Sequence, residues 1–320
     1  MTFIVAALLN AFLVISNAEV LPLTVSDNQV LIGGKQGSLS GMSFFWTNDD
    51  WGGSKFYNKQ AVEWLKNDWK ARVLRGAMGI ENSGGYLLDA ENNKARIKTL
   101  VDAAIEFDMY CVVDWHDNYA HLHKDAAIAF FEEMARFYIG KNNLIFELFN
   151  EPQDDVSYTN DVKPYAEEVI KRIRDTGSTN VILVGSTHWD QDVEQAAANK
   201  ITGYENIAYT LHFYANSINN AGQDMRDRAT AALKNHTALF VSEWGTVEAN
   251  GDGPVNAEET KAWVDFMKAN HLSNCNWSLN DKAEGASALK PGVRVDGQWT
   301  ESDLTESGKL VREIIRTWSD

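Results

Sequence analysis

The chain has 320 residues, an ordinary globular composition with 44% hydrophobic and 23% charged residues, and a formal net charge of −16. That length fits two small domains or one barrel of about 250 residues with additions. The acidic balance argues against nucleic acid or an anionic membrane as partner and suits a neutral substrate, although a generic solvated acidic surface would carry the same charge.

Residues 1–18 contain no charged side chain and are mostly apolar, and Ser16-Asn17-Ala18 places small residues just before Glu19. This pattern reads as a secretory signal peptide without the usual positive n-region, with an N-terminal membrane anchor as the alternative. Residues 19–320 are then expected to form one secreted domain. No other stretch approaches the ~20 apolar residues of a spanning helix. The remainder holds only Cys111 and Cys275. A secreted context permits a disulfide, but these cysteines fall on strands that are not barrel neighbours, so both are expected free and buried. Asn235-His236-Thr237 is a glycosylation sequon, meaningful only in a eukaryotic secretory route. Asn276-Trp277-Ser278 also matches and is expected to be buried at a strand end.

In chain order, residues 20–32 read as a hairpin turning at Ser26-Asp27-Asn28, placed to cap the bottom of a barrel. Strand and helix signals then alternate eight times, the rhythm of parallel βαβ units. The expected strands are 39–46, 71–78, 110–116, 143–152, 180–186, 207–214, 238–244 and 274–279. The intervening helices are expected at 59–69, 91–107, 125–139, 162–176, 191–198, 224–234 and 257–270, with a last one at 304–318. No linker, low-complexity tract or repeat divides them. The fold class is α/β, a single (β/α)8 TIM barrel with a short N-terminal β-hairpin.

Two of these strands end in a carboxylate. Residues 143–152 form an apolar run closing in Asn150-Glu151-Pro152, and residues 239–245 place Glu243 at a second strand end, 92 residues after Glu151. Catalytic groups of such barrels sit at C-terminal strand ends, and two carboxylates on one barrel face is the equipment for cleaving a glycosidic bond. The competing reading is that each glutamate merely starts a loop. The same strand ends collect Trp46, Arg75, His116, Asn150, Trp189, His212, Tyr214, Trp244 and Trp277. Tryptophan faces stack on the apolar C–H faces of sugars. Core packing competes with that role for any single tryptophan, and more strongly for Trp115 and Trp244 than for Trp189 and Trp277. His116, His121 and His123 with Asp114 and Asp117 could be read as a zinc cluster. They occupy one strand end and its loop without matching ligands elsewhere, so no metal and no cofactor are expected.

The landmarks Gly41-Met42-Ser43-Phe44-Phe45-Trp46, Val73-Leu74-Arg75-Gly76-Ala77-Met78, Asp114-Trp115-His116-Asp117, Phe149-Asn150-Glu151-Pro152, Leu211-His212-Phe213-Tyr214, Ser242-Glu243-Trp244-Gly245 and Trp277-Ser278-Leu279-Asn280-Asp281-Lys282 occur in order along the chain. Together they resemble glycoside hydrolase family 5, in particular its bacterial-type secreted endo-β-1,4-glucanases, a subgroup also found in invertebrates. The resemblance covers about residues 20–318. It implies a retaining double displacement on cellulose, with Glu243 matching the nucleophile and Glu151 the general acid/base. Arg75 and Tyr214 match groups that hold the nucleophile. His116 and His212 match histidines that bind sugar hydroxyls or tune the acid/base, and Asn150 matches the contact to the sugar 2-hydroxyl. Trp277 matches a stacking platform, and Trp46, Tyr86, Trp189, Lys282 and Glu284 match positions lining neighbouring subsites. The implied partner is a β-glucan chain, with no nucleic acid or membrane, and a monomer is expected.

The chain departs from the family pattern at Asn118 and Tyr119, where a second histidine is often found, and in the segment Ala215–Asn220. Both flank the cleft, so β-mannan, xylan or mixed-linkage glucan remains an alternative substrate. A catalytically silent carbohydrate-binding barrel is a third reading, opposed by two carboxylates held where they repel.

Overall fold

The structure is a computed structural model that describes residues 19–217 and 222–319. The signal-peptide expectation for residues 1–18 and the last three residues of the segment Ala215–Asn220 lie outside the described residues.

Strands β1 (Leu23–Ser26) and β2 (Gln29–Ile32) pair antiparallel as the expected hairpin. Eight parallel strands follow: β3 (Ser40–Phe44), β4 (Val73–Gly79), β5 (Tyr110–His116), β6 (Leu144–Glu147), β7 (Ile182–Val184), β8 (Ile207–Tyr214), β9 (Leu239–Gly245) and β10 (Asn274–Leu279). They close into a barrel in sequence order, with β10 returning to β3. The helices are α1 (Lys59–Trp64), α2 (Ala90–Glu106), α3 (Lys124–Phe137), α4 (Lys163–Asp175), the four-residue turn α5 (Thr187–Asp190), α6 (Val193–Ala198), α7 (Gln223–Lys234), α8 (Ala257–Ala269) and α9 (Glu306–Arg316). The (β/α)8 barrel with its N-terminal hairpin is the expected architecture.

Local chemistry sets the helix starts. Side chains of Asn58, Asp89, Asn256 and Thr305 accept the backbone N–H groups of Ala61, Asn92, Glu259 and Gly308, satisfying donors that a helix start leaves orphaned. The expected start of the last helix at Leu304 is therefore displaced to the residue after Thr305, and Leu304 instead bridges Leu289. The expected strand 143–152 is also shorter. Only Phe146 and Glu147 pair with β7. After Leu148 N–H donates to Leu183 O, the chain leaves the ladder, and Asn150, Glu151 and Pro152 form the barrel mouth.

Alternation along each strand sorts the core into layers. Leu39, Val73, Tyr110, Val112, Ile145, Leu183, Ala208, Phe240 and Cys275 fill the barrel interior together with Leu23 and Val30 of the hairpin, which plugs its base. Leu74, Cys111, Val113, Trp115, Phe146, Val241 and Trp244 face outward against the helices. Cys111 and Cys275 are both buried and free, and they face different layers.

One irregularity positions the site. Between β8 and β9, Thr210 pairs with Phe240 and His212 with Glu243, so two steps on one strand meet three on the other. This β-bulge in β9 makes two consecutive residues, Ser242 and Glu243, present their side chains to the interior, and bulges are found next to active sites for this re-aiming. Trp244 is returned to the outer layer.

Gly308 opens α9 so close to Ala288 that a Cβ there would lie 1.9 Å from the Ala288 carbonyl oxygen. Gly→Ala in a helix ordinarily gains about 1 kcal/mol, but here backbone would meet methyl. Gly308→Ala is expected to destabilise the fold by about 1–3 kcal/mol, read as a lower urea midpoint with unchanged slope. A raised midpoint would show that α9 can slide to make room.

Candidate active site

Arg75 on β4 is fully buried at the barrel mouth. Its Nε and Nη2 donate to Glu147 Oε2 and Oε1 at 2.7 and 3.2 Å, Nη1 donates to Glu243 Oε2 at 2.7 Å, and Nη2 donates to Asn150 Oδ1 at 2.6 Å. Asp114 Oδ2 lies 3.0 Å from Nη2. A guanidinium with its fork filled this way is a strong anion organiser. Burial opposes its charge, but Asp114, Glu147 and Glu243 outweigh burial and push the Arg75 pKa up.

Glu243 receives Arg75 on one oxygen and the Tyr214 hydroxyl on the other, at 2.7 Å. Burial works to raise its pKa, but the charges of Arg75, His212 and His116 and the Tyr214 hydrogen bond hold it below the usual carboxylate value. Glu147 is likewise buried, and Arg75 and His212 bring it down to about 2 against that burial. Burial pushes Asp114 up to about 6, with Arg75 and His116 opposing.

A second chain of contacts runs from Glu151. His212 Nδ1 lies 2.9 Å from Glu151 Oε1, and His212 Nε2 lies 2.8 Å from Ser242 Oγ. Ser242 in turn donates to Glu147 Oε1 at 2.8 Å. One ligand-capable atom each of Glu151, His212 and Glu243 lies within 4.8 Å of the others, so the two carboxyl groups approach at close range. The side chain of Glu151 remains 19% exposed against 6% for Glu243, so the former opens to the cleft while the latter is held from behind.

A cavity of about 350 Å³ lies against this pair, lined by Glu151, Trp189, Gln191, His212, Tyr214, Glu243 and Asn250 among others. An aromatic group is built from other strand ends and loops. The His116 ring stacks on Trp277 with centroids 5.3 Å apart, Trp46 meets His116 edge-on at 4.2 Å, and Trp51 packs against Trp46 at 5.0 Å. The Trp277–Ser278 peptide is cis. Lys282 pairs with Glu284 at 2.8 Å and sits over the Phe45 ring.

Arg75, His116, Asn150, Glu151, His212, Tyr214, Glu243, Trp46, Trp189 and Trp277 thus converge on one mouth. Tyr86 does not join them: it packs against Trp115 and Phe130, and its phenol faces Lys94, Glu133 and Glu91 on the helical side. Trp115 and Trp244 are fully buried outer-layer residues, because the residue beside an inward-facing strand residue points away. The residues that could be read as a zinc cluster are divided: His116 Nδ1 contacts Asp114 and His123 Nδ1 contacts Asp117 at 2.6 and 2.7 Å, while His121 stacks on Phe149. Sequence reasoning passed over Glu147, Ser242 and Trp51. Glu147 is the single charge inside an apolar strand run, and that was its available signal.

The family model for Cellulase (glycosyl hydrolase family 5) matches residues 30–283. Endoglucanase Z of Dickeya dadantii is 49% identical over 301 residues, covering 94% of this chain and 68% of the relative. An endoglucanase of Clostridium saccharobutylicum is 42% identical, covering 81% of this chain and 58% of the relative. This chain therefore spans roughly 58 to 68% of the length of these curated relatives. A solved structure from Cytophaga hutchinsonii superposes with a TM-score of 0.89 at 43% identity, covering 93% of this chain and 95% of that one. The catalytic domain of a Thermobifida fusca endoglucanase, solved in complex with cellotetraose, gives 0.85 at 29% identity and covers 92% and 97%. The fold and these matches define a barrel glycoside hydrolase. The chain belongs to glycosyl hydrolase family 5, the cellulase family.

Removing Glu147 tests the anionic frame. Its folded pKa of about 2 lies below the unfolded value of about 4.3. Its stabilisation is therefore fully present above about pH 4.3 and is lost as pH falls toward 2. Glu147→Gln is expected to cost on the order of 3 kcal/mol at pH 6, because it leaves Arg75 less compensated. The gap from wild type should narrow at pH 3 in urea titrations. A gap independent of pH would mean that Glu147 acts through packing alone.

Proposed function

We propose that this chain is a secreted endo-β-1,4-glucanase that hydrolyses internal bonds of cellulose by a retaining double displacement. The observation that carries the mechanism is the close pair of Glu151 and Glu243 with unequal surroundings. A retaining pair sits roughly 5–5.5 Å apart, too close for an intervening water. Glu243, held anionic by Arg75 and Tyr214, attacks the anomeric carbon. Glu151, facing the cleft, protonates the departing oxygen and then takes a proton from the hydrolytic water. Once Glu243 is esterified its charge is gone, and the acid on its neighbour becomes easier to ionise, which suits the change from acid to base.

Asn150 Nδ2 and Oδ1 are fixed by Asn118 and Arg75, and in this reading Asn150 contacts the sugar 2-hydroxyl. Trp277, Trp46 and Trp189 offer stacking faces, with Lys282 and Glu284 at the rim. The names of the curated relatives and the cellotetraose bound to a structural neighbour support a β-1,4-glucan as substrate. Residues 1–18 support export, and residues 19–320 form the catalytic domain. Arg75, Glu151 and Glu243 come from one chain, which supports action as a monomer. Among the described residues no helix is long and apolar enough to cross a membrane.

Reducing-sugar release and viscosity loss on carboxymethylcellulose, glucomannan and xylan test the reading. Fast viscosity loss on the cellulose derivative is expected, and preference for another polymer would overturn the substrate assignment. Glu243→Gln should reduce turnover by at least about 10⁴-fold with the fold intact. Glu151→Gln should lose roughly 10²–10⁴-fold on cello-oligosaccharides and far less on aryl cellobiosides with activated leaving groups. Equal losses on both would remove Glu151 from the acid role. Tyr214→Phe deletes a donor that lowers the Glu243 pKa, so the acidic limb of kcat/KM should move up by as much as about 1 pH unit. An unmoved limb would separate that limb from Glu243.

A further inference from the structure

The residues behind His212 form a buried group that the double displacement does not itself use. Asp190 is fully buried. Its Oδ1 accepts the Ser186 N–H. Among the described residues its Oδ2 accepts no hydrogen bond of good geometry, and it lies 3.6 Å from His212 Nε2. Asp190 ends a turn in which His188, Trp189 and Asp190 hold φ of 56°, 52° and 61°. Three consecutive left-handed non-glycine residues are strained, and such strain persists where surrounding contacts over-determine it. Here Trp189 N–H donates to Pro152 O at 3.0 Å and Asp190 N–H to Ser186 O at 3.2 Å. The turn thus fixes Trp189 at the cleft and Asp190 against His212 together.

The hydrogen-bond directions around His212 are constrained. Ser242 has one hydroxyl proton, and it goes to Glu147 Oε1. Ser242 Oγ must therefore accept from His212, so Nε2 carries a proton. Nδ1 then faces Glu151 Oε1 either as a bare lone pair, with His212 neutral, or as a donor, with His212 cationic. In the first state Nδ1 attracts the Glu151 proton onto Oε1. In the second, Nδ1–H occupies Oε1, so the acidic proton rides on Oε2.

We propose that Asp190 is a positioning residue that keeps His212 doubly protonated, so that Glu151 delivers its proton from Oε2. This deepens the glycosidase reading above and rests on it. As Glu243 attacks the anomeric carbon and the glycosidic C–O bond breaks, the Oε2 proton passes to the departing oxygen. The resulting carboxylate keeps the His212 Nδ1–H on Oε1. The groups facing His212 are Asp190 from the α5 turn, Glu147 from β6, Glu151 at the mouth beyond it, and Ser242 and Glu243 from β9. Arg75 lies behind Glu147 and Glu243. Burial opposes a charge on His212, but Asp190, Glu147, Glu151 and Glu243 raise its pKa well above the ordinary histidine value. Burial pushes the Asp190 pKa well above the ordinary carboxylate value, with the His212 charge, the Ser186 N–H and Thr210 opposing it, so the Asp190 anion is held only as the partner of a cationic His212.

Asp190→Asn keeps the shape and the Ser186 acceptor and removes the charge. In ¹⁵N-histidine-labelled full-length protein, with the His212 signals assigned through His212→Gln, wild-type His212 should be cationic at the pH of maximal turnover. In Asp190→Asn its titration should fall by about 1 pH unit or more, to a neutral form protonated on Nε2. The alkaline limb of kcat on cello-oligosaccharides should fall with it, while aryl cellobiosides with activated leaving groups are spared. Activity of the variant should recover as pH is lowered, which a merely structural defect would not give. A neutral wild-type His212 at the activity optimum overturns the proposal even if the variant does not fold. An unchanged His212 titration in a folded variant overturns it equally. Undiminished turnover in Glu243→Gln would instead overturn the underlying enzyme reading, whatever the titration of His212 in the wild type.

Discussion

The site depends on one buried positive charge. Arg75 stands at the centre of the barrel mouth with no exposure to solvent, and its side chain contacts Glu147, Glu243, Asp114 and Asn150. Removing such a group from water is costly unless every donor finds a partner, and here the partners are the site. A guanidinium suits this role where an ammonium would not, since its planar fork can serve Glu147 through Nε and Nη2 while Nη1 reaches a different strand. β4, β6 and β9 are tied together by this charge. The position of Glu243 is therefore set by the same contacts that make its anion favourable.

Much of this was legible in the sequence because strand ends declare themselves. Apolar β-branched runs that stop at Asn150-Glu151-Pro152 and Glu243-Trp244-Gly245 mark both the barrel and its working face. The hairpin, the eight-fold alternation, the free cysteines and the gathering of Arg75, His116, His212 and Tyr214 all follow from pattern. What stayed hidden depends on parity and backbone. Trp115 and Trp244 look like cleft residues until the inward direction of His116 and Glu243 is known, and then each must point outward. Tyr86 follows β4 in a loop, where no period fixes direction, and it packs on the helical side. The left-handed run His188-Trp189-Asp190 contains no glycine to announce it. The early end of the expected strand 143–152 reflects a three-residue β7, which local pattern cannot report.

The bulge in β9 shows how a regular barrel accommodates a denser site than its pleat permits. Strict alternation would give the interior either Ser242 or Glu243. The extra residue supplies both, so the carboxylate that meets Arg75 and Tyr214 and the hydroxyl that contacts His212 come from adjacent residues. The two hydrogen-bond chains of the mouth then separate cleanly. Glu243 belongs to Arg75 and Tyr214, while Glu151 belongs to His212, and Glu147 touches both chains through Arg75 and Ser242.

That separation explains how two like carboxylates at close range can be assigned different work. Mutual repulsion alone would favour one proton between them without choosing its owner. The choice comes from asymmetry: a permanent cation and a phenol hold one carboxylate from behind, whereas the other meets an imidazole whose charge depends on what lies beyond it. Arg75 cannot lose its proton, so the anionic character of Glu243 is fixed. His212 can lose its own, so the behaviour of Glu151 is adjustable, and the adjusting groups are the buried oxygens of Glu147 and Asp190. In the proposed mechanism the more deeply placed carboxylates thus govern the two at the mouth. In a barrel of this kind the chemistry at the mouth is decided one layer below it.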